Sequence, residues 1–214
     1  MAGHHLSVDS RIAALLPRGG VLVDLGCGSG TALDALCGFY EHAIGLDVST
    51  ARLEERIRPI QGWRFVEADL NRPFPLPSEH ARAVLANQVI EHVTDPYHFV
   101  SEARRILLPG GILVLATPNI RYLRHLARLV VMGRGPSTGN GEVIDGPWDD
   151  GHLHYFTHAD LRNLLVRCGF RHIRAQALVD LKGGSLNRRL LDSVATVGVV
   201  REFMSGNALV VATK

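Results

Sequence analysis

Val21-Leu22-Val23-Asp24-Leu25-Gly26-Cys27-Gly28-Ser29-Gly30 decides the fold. Three β-favouring apolar residues run into Asp24, and glycines follow at positions 26, 28 and 30. An apolar run of this kind reads as a buried parallel strand. The glycines describe a loop whose backbone approaches a ligand closely, because a residue without Cβ leaves room and tolerates positive φ. A helix is predicted from Thr31, with Leu33, Leu36 and Cys37 on one side. Strand, glycine loop and helix in that order make a nucleotide-type cofactor site.

Spacing narrows the cofactor. The dinucleotide fingerprint is G-x-G-x-x-G with a pyrophosphate held at the helix N-terminus, whereas this loop reads G-x-G-x-G with Asp24 just inside the strand end. A carboxylate there suits a cation better than a phosphate. Ile44-Gly45-Leu46-Asp47-Val48-Ser49 reads as a second buried strand ending in an acid, fitted to accept bonds from both ribose hydroxyls. A third, Arg64 to Leu70, carries Asp69 near its end, where it could meet the exocyclic amine of an adenine. Three strands that each deliver a carboxylate to one sheet edge describe a pocket for a positively charged adenosine derivative.

With these residues in view, the chain resembles the class I S-adenosylmethionine-dependent methyltransferases along nearly its whole length. Asp24-Leu25-Gly26-Cys27-Gly28-Ser29-Gly30 is similar to that family's first motif. Gly45-Leu46-Asp47-Val48-Ser49 is similar to the second and Glu67-Ala68-Asp69-Leu70 to the third. Leu108-Pro109-Gly110-Gly111-Ile112-Leu113-Val114-Leu115 matches the turn and fifth strand that follow. The resemblance implies an α/β fold with a doubly wound, mostly parallel seven-stranded sheet and S-adenosyl-L-methionine as cofactor. Asp47 would then hold the ribose and Asp69 and Leu70 the adenine, with Val48 also among the cofactor-binding residues. Asp24, Gly26, Cys27, Gly28 and Gly30 would hold the methionine end, with Asn87 beside it.

Composition agrees with one domain: 214 residues, 46% of them hydrophobic, can build an ample core. A net charge of +2 gives no general pull toward nucleic acid. The strand-four segment also lacks the Asn/Asp-Pro-Pro-aromatic signature of base-N-methylating enzymes, so no nucleic-acid partner is expected. Three cysteines without metal-like spacing suit a reducing compartment. No secretory h-region follows Met1, and no apolar run reaches the ~20 residues of a bilayer span. A cytoplasmic protein is therefore expected.

The predicted elements alternate. A short helix covers Arg11 to Leu16, and helices follow each glycine or acid turn near 31–39 and 50–57. Asn71 to Pro77 is a proline-rich loop, and Ala83 to Asn87 is the fourth strand. Asp95-Pro96 opens a helix through Leu107, and strand five ends at Thr117-Pro118-Asn119. Asp160 to Cys168 forms a helix closed by Gly169, a sixth strand runs near Ile173 to Val179, and Ala208 to Ala212 closes the sheet. A single domain over 1–214 is expected, with a lid or acceptor-binding insertion over 120–156.

Two segments distinguish this chain. Asn87-Gln88-Val89-Ile90-Glu91-His92-Val93 resembles the Ile-Glu-His segment of a small-molecule O-methyltransferase branch that includes quinone-biosynthesis enzymes. In some of those enzymes, the acid and histidine matching Glu91 and His92 hold a divalent metal with a further acid where Gln88 stands. The resemblance thus implies a metal site at Glu91 and His92, for Mg2+ or Mn2+, weakened by Gln88. The plainer reading makes both residues caps of the following helix. In the 120–156 segment, Arg121, Arg124, His125 and Arg128 share one helical face and Leu123, Leu126, Ala127 and Val130 the other. A basic amphipathic helix over 120–132 suits peripheral contact with an anionic membrane. Its commoner use is as a lid or homodimer contact.

Asp145 to Thr157 concentrates Asp, His and one Trp, and Gly-His-Leu-His-Tyr-Phe-Thr is similar to a His-x-x-x-Phe-Thr segment of the same branch. His152 or His154 is a candidate general base, since an imidazole with its pKa near ~6.5 accepts a proton at neutral pH. The competing reading gives them loop-tethering bonds, with Thr157 as N-cap. His4, His5, His42, His80, His98, His125 and His172 are taken as surface or fold residues. The expectation is O-methylation of a small polar acceptor, first a sugar or oligosaccharide hydroxyl. The alternatives are a catechol-type quinone precursor at a membrane surface and a non-catalytic cofactor-binding partner protein.

Overall fold

The computed structural model of the protein describes residues 9–49, 51, 62–135, 138, 148–177 and 202–214. Its centre is a seven-stranded sheet in the order β3-β2-β1-β4-β5-β7-β6. The strands are β1 Val21–Leu25, β2 His42–Asp47, β3 Trp63–Glu67, β4 Ala81–Asn87, β5 Leu107–Pro118, β6 Arg171–Ala177 and β7 Asn207–Thr213. β1 to β5 pair in parallel, and β7 runs antiparallel to both β5 and β6. The helices are α1 Ser10–Ala13, α2 Thr31–Leu36, α3 Pro96–Ile106, α4 Leu123–Val130 and α5 His158–Arg167.

Alternation along each strand divides the core between the two sheet faces. Val23, Leu25, Ile44, Leu46, Val84 and Leu115 pack with α3 and α5 through Phe99, Ala103, Leu161 and Leu165. On the other face, Leu22, Ala43, Leu85, Val114 and Val211 pack with Leu33 and Leu36 of α2 and with Ile12 and Leu16. Both faces are covered, which is why the central strands read as unbroken apolar runs.

The helix ends follow their local chemistry. Asp95 caps α3 by accepting from the N–H groups of Tyr97 and His98, with Pro96 in the first turn. Thr157 and Asp160 form a reciprocal capping box at α5. The boundaries differ from the sequence reading by a few residues. α2 tightens into a 3-10 turn at Cys37–Phe39 rather than continuing to 39 as α-helix. β2 ends at Asp47 and β3 at Glu67, so Asp69 lies past the strand, where its carboxylate accepts from the backbone and side chain of Asn71. Pro109-Gly110-Gly111 does not precede β5 but forms an irregularity within it, the register shifting between Ala81↔Leu107 and Ala83↔Ile112. The helix predicted near 50–57 and the end of the sixth strand at 178 and 179 lie outside the described residues.

Gly45 shows how tightly the sheet holds the first loop. A Cβ there would lie 2.7 Å from Cys27 Sγ and 3.0 Å from Leu33 Cδ1. Gly45→Ala is expected to destabilise the fold by about 1–3 kcal/mol through overpacking, read as a lower urea midpoint. An unchanged midpoint would contradict this packing.

Candidate functional site

The cofactor side is built at the carboxyl ends of β1, β2 and β3. Asp24 pairs with Gly45 on one side and Leu85 on the other, and is 3% exposed. Among the described residues its Oδ2 has no hydrogen-bond partner. Burial, and then the Asp47 carboxylate nearby, push its pKa up to about 8. A buried carboxyl in this state stays protonated until a positive group offsets its charge.

The glycine loop follows directly. Gly26 and Cys27 both donate their N–H to Leu46 O, at 2.7 and 3.1 Å, which ties the loop to β2. Gly26 has φ +70°, and a Cβ on it would meet Val89 Cγ2 at 2.4 Å, so the segment after β4 packs on the loop. Gly28 has φ +51° and an unobstructed Cβ direction, and its N–H donates to Asp47 Oδ2 at 2.8 Å. Gly30 N donates to Cys27 O and Gly30 O accepts from Asp34, starting α2. The Cys27 thiol is buried and pushed up to about 12 by desolvation and then by Asp24, so it is an unreactive packing group.

Asp47 closes β2, with Ser49 N donating to its Oδ1 at 3.4 Å, and Val48 beside it is 70% exposed. Val48 is an apolar side chain left open at a sheet edge, which suits contact with a flat ring. Asp69 is exposed, and hydrogen bonds from Asn71 hold its carboxyl below the usual range; Leu70 is buried. Asn87 ends β4, half-buried, and Gln88 turns to φ +59° with Nε2 on Asn207 Oδ1 at 3.4 Å.

The acceptor side joins two distant segments. Glu91 is 1% exposed; its Oε2 accepts from Thr117 Oγ1 at 2.7 Å and its Oε1 has no partner among the described residues. Burial raises its pKa against the opposing pull of its own N–H, Thr117 and His92. Glu91 O accepts from the N–H groups of Leu153 and His154 at 2.7 and 3.2 Å, which ties the second segment to the first. His92 Nδ1 lies 3.2 Å from Gly151 O, and its ring meets that of His152 edge-on at 4.7 Å. Because Asp95 caps α3, the capping role considered for Glu91 and His92 does not apply.

His152 Nδ1 lies 2.8 Å from Thr138 Oγ1 and 3.6 Å from Asp149 Oδ2. Its pKa is lowered by burial and then by His92. His154 Nε2 is buried with no hydrogen-bond partner among the described residues. Glu91, His92 and His152 thus converge, while His154 stands two residues further along beside Phe156. Sequence reasoning missed Thr117 as Glu91's partner and Thr138 as the tether of His152. The Trp148 side chain, expected to stack on an acceptor, falls outside what the structure describes.

A family model described as a methyltransferase domain matches residues 6–175. Over 153 residues the chain is 34% identical to a probable S-adenosylmethionine-dependent methyltransferase of Mycolicibacterium smegmatis, covering 70% of this chain and 51% of that protein. Over 104 residues it is 31% identical to a ubiquinone biosynthesis O-methyltransferase of Rhodopseudomonas palustris, covering 46% and 40% respectively. The chain spans about half or less of the length of the curated relatives it matches. A solved S-adenosylmethionine dependent methyltransferase from Mesorhizobium loti shares the fold with a TM-score of 0.66 at 21% identity, covering 96% of each chain. Matched by the family model over most of its length and built on the sheet order described above, the chain belongs to the class I S-adenosylmethionine-dependent methyltransferases.

Proposed function

We propose that this protein methylates a hydroxyl of a small polar acceptor, in the first instance a sugar or glycan hydroxyl. The supporting observation is the meeting of Glu91, His92 and His152, with the N–H groups of Leu153 and His154 held by Glu91 O and the first segment packed against the glycine loop through Val89. Such polar and mostly buried groups would hold and deprotonate a hydroxyl.

The residues present fit the cofactor: the orphaned Asp24 Oδ2 calls for a cation, and Gly28 leaves its Cβ direction open. S-adenosylmethionine supplies an electrophilic methyl on a sulfonium centre. Asp47 would hold the ribose, Val48, Asp69 and Leu70 the adenine, and Asp24 with Gly26, Cys27, Gly28, Gly30 and Asn87 the methionine end. Glu91 and His92 would hold a divalent ion, which supplies Lewis-acid polarisation of a bound hydroxyl. His152 or His154 would take the acceptor's proton. Aligning nucleophile and donor is the protein's main remaining task.

A second acceptor, a catechol-type quinone precursor, is favoured by the ubiquinone O-methyltransferase relative and by α4. That helix carries Arg124 and Arg128 with Leu123 and Val130 exposed, a surface that fits anionic lipid. Homocysteine release measured on glycans and catechols side by side decides between them, and turnover on neither would overturn O-methylation.

Asp47→Ala is expected to weaken S-adenosylmethionine binding by about 10–100-fold, the loss of hydrogen bonds to a charged group. Calorimetry showing unchanged affinity would remove Asp47 from the pocket. His154→Ala should lower kcat by about 10²-fold or more at saturating acceptor if it takes the proton; full turnover would dismiss it.

Asp24 makes a separate demand on stability. Its folded-state pKa of about 8 lies above the ordinary 3.8, so the folded chain holds the extra proton and loses stability as pH rises through that window. Asp24→Asn removes the loss. The variant's gain in unfolding free energy over the natural chain should grow from about pH 4 to about pH 8 and then level off, while cofactor affinity falls. A gain that does not change with pH would contradict the burial assigned to Asp24.

A further inference from the structure

Glu91, His92 and His152 each offer one ligand atom, and the three atoms lie within 4.8 Å of one another. We propose that they form a two-histidine, one-carboxylate site for a divalent transition-metal ion, with His152 as a ligand and not as the base. This rests on the reading of these segments as the acceptor side and assigns His152 a different task within it.

Hydrogen bonds fix which ring nitrogens keep a lone pair. A carbonyl oxygen only accepts, so Gly151 O at 3.2 Å takes the proton of His92 Nδ1 and leaves the lone pair on Nε2. Thr138 Oγ1 donates to Asp149 Oδ2 at 3.3 Å and therefore accepts from His152 Nδ1 at 2.8 Å. His152 Nε2 likewise keeps its lone pair. Thr117 occupies Glu91 Oε2, and the nearly inaccessible Oε1 has no partner. Each of these three side chains, which together bring one ligand atom apiece within 4.8 Å, thus keeps an electron-rich atom, an arrangement that a cation relieves.

Each ligand is also held from behind, as metal ligands commonly are: Glu91 by Thr117, His92 by Gly151 and His152 by Thr138 and Asp149. Asp149 and Asp150 sit at φ 47° and 57°, left-handed conformations costly for non-glycine residues. Two bonds from Thr138 N, both 2.9 Å, help hold Asp149 in that turn. Gln88, engaged with Asn207, contributes nothing; an imidazole from the 148–152 turn supplies the third ligand. Two imidazoles and one carboxylate suit Mn2+, Fe2+ or Zn2+ better than Mg2+, which prefers oxygen. With His152 bound, the proton of the acceptor falls to His154.

The test titrates Co2+, Mn2+ and Mg2+ into chelator-treated protein without cofactor or acceptor, following Co2+ absorption bands and heat. The expected result is one Co2+ or Mn2+ per chain in preference to Mg2+. His92→Ala and His152→Ala should each weaken it at least about tenfold, and Asp149→Asn about tenfold through the weaker hold of its side chain on Thr138 and His152. His154→Gln should leave metal affinity as it was. If His152→Ala alters folding, the absorption bands of bound Co2+ in the natural chain, which report imidazole coordination, serve in its place. No bound ion, a preference for Mg2+, or affinity unaltered by His152→Ala would overturn the site. Hydroxyl methylation by rigorously metal-free protein would overturn it while leaving the proposed function standing. Metal binding without transfer to any hydroxyl would overturn the function and leave the site.

Discussion

The carboxyl of Asp24 lies near the middle of the sheet, between Gly45 and Leu85, with one oxygen that no group among the described residues satisfies. An unpaired charge in such a place costs several kcal/mol, and the group stays neutral instead. An apolar residue of similar size would make a more stable strand. Keeping an acid there makes sense where a positively charged ligand completes it, and the fold around it is consistent with that use.

Its surroundings transmit the constraint outward. Gly45 faces Asp24 across the ladder without a side chain, so Cys27 folds into the space and brings the glycine loop down on β2. Leu46 O then holds two successive loop N–H groups, and Gly28 reaches the Asp47 carboxylate. On the other flank, Val89 fills the volume that Gly26 leaves empty. From Val89 the chain runs in two residues to Glu91, whose carbonyl captures Leu153 and His154. One line of contacts therefore links the proposed donor pocket to the proposed acceptor pocket, and displacing the loop would disturb both.

Much of this was legible from residue order. Apolar runs before Asp24 and Asp47 gave two central strands, and Asp95-Pro96 and Thr157 gave helix starts, because those signals act within a few residues. Asp69 was misplaced at a strand tip. The apolar pattern of Arg64 to Leu70 continues past the point where β3 stops pairing with β2, and the turn with Asn71 takes over. The glycine turn at 109–111 reads as a break, yet it stays in the ladder as a bulge, since Gly110 N and Lys214 O still pair across it. The partners of Glu91 and His152 were illegible for another reason. Thr117 is 26 residues from Glu91, and Thr138 is 14 from His152; no local periodicity relates them.

The most direct measurement is calorimetric titration of S-adenosylmethionine near neutral pH in buffers of different ionisation enthalpy. If Asp24 is neutral in the free protein and ionises against the cationic ligand, binding releases about one proton to the buffer, and Asp24→Asn releases none. Binding without proton release in the natural chain, or with equal release in the variant, would contradict the role given to that carboxyl.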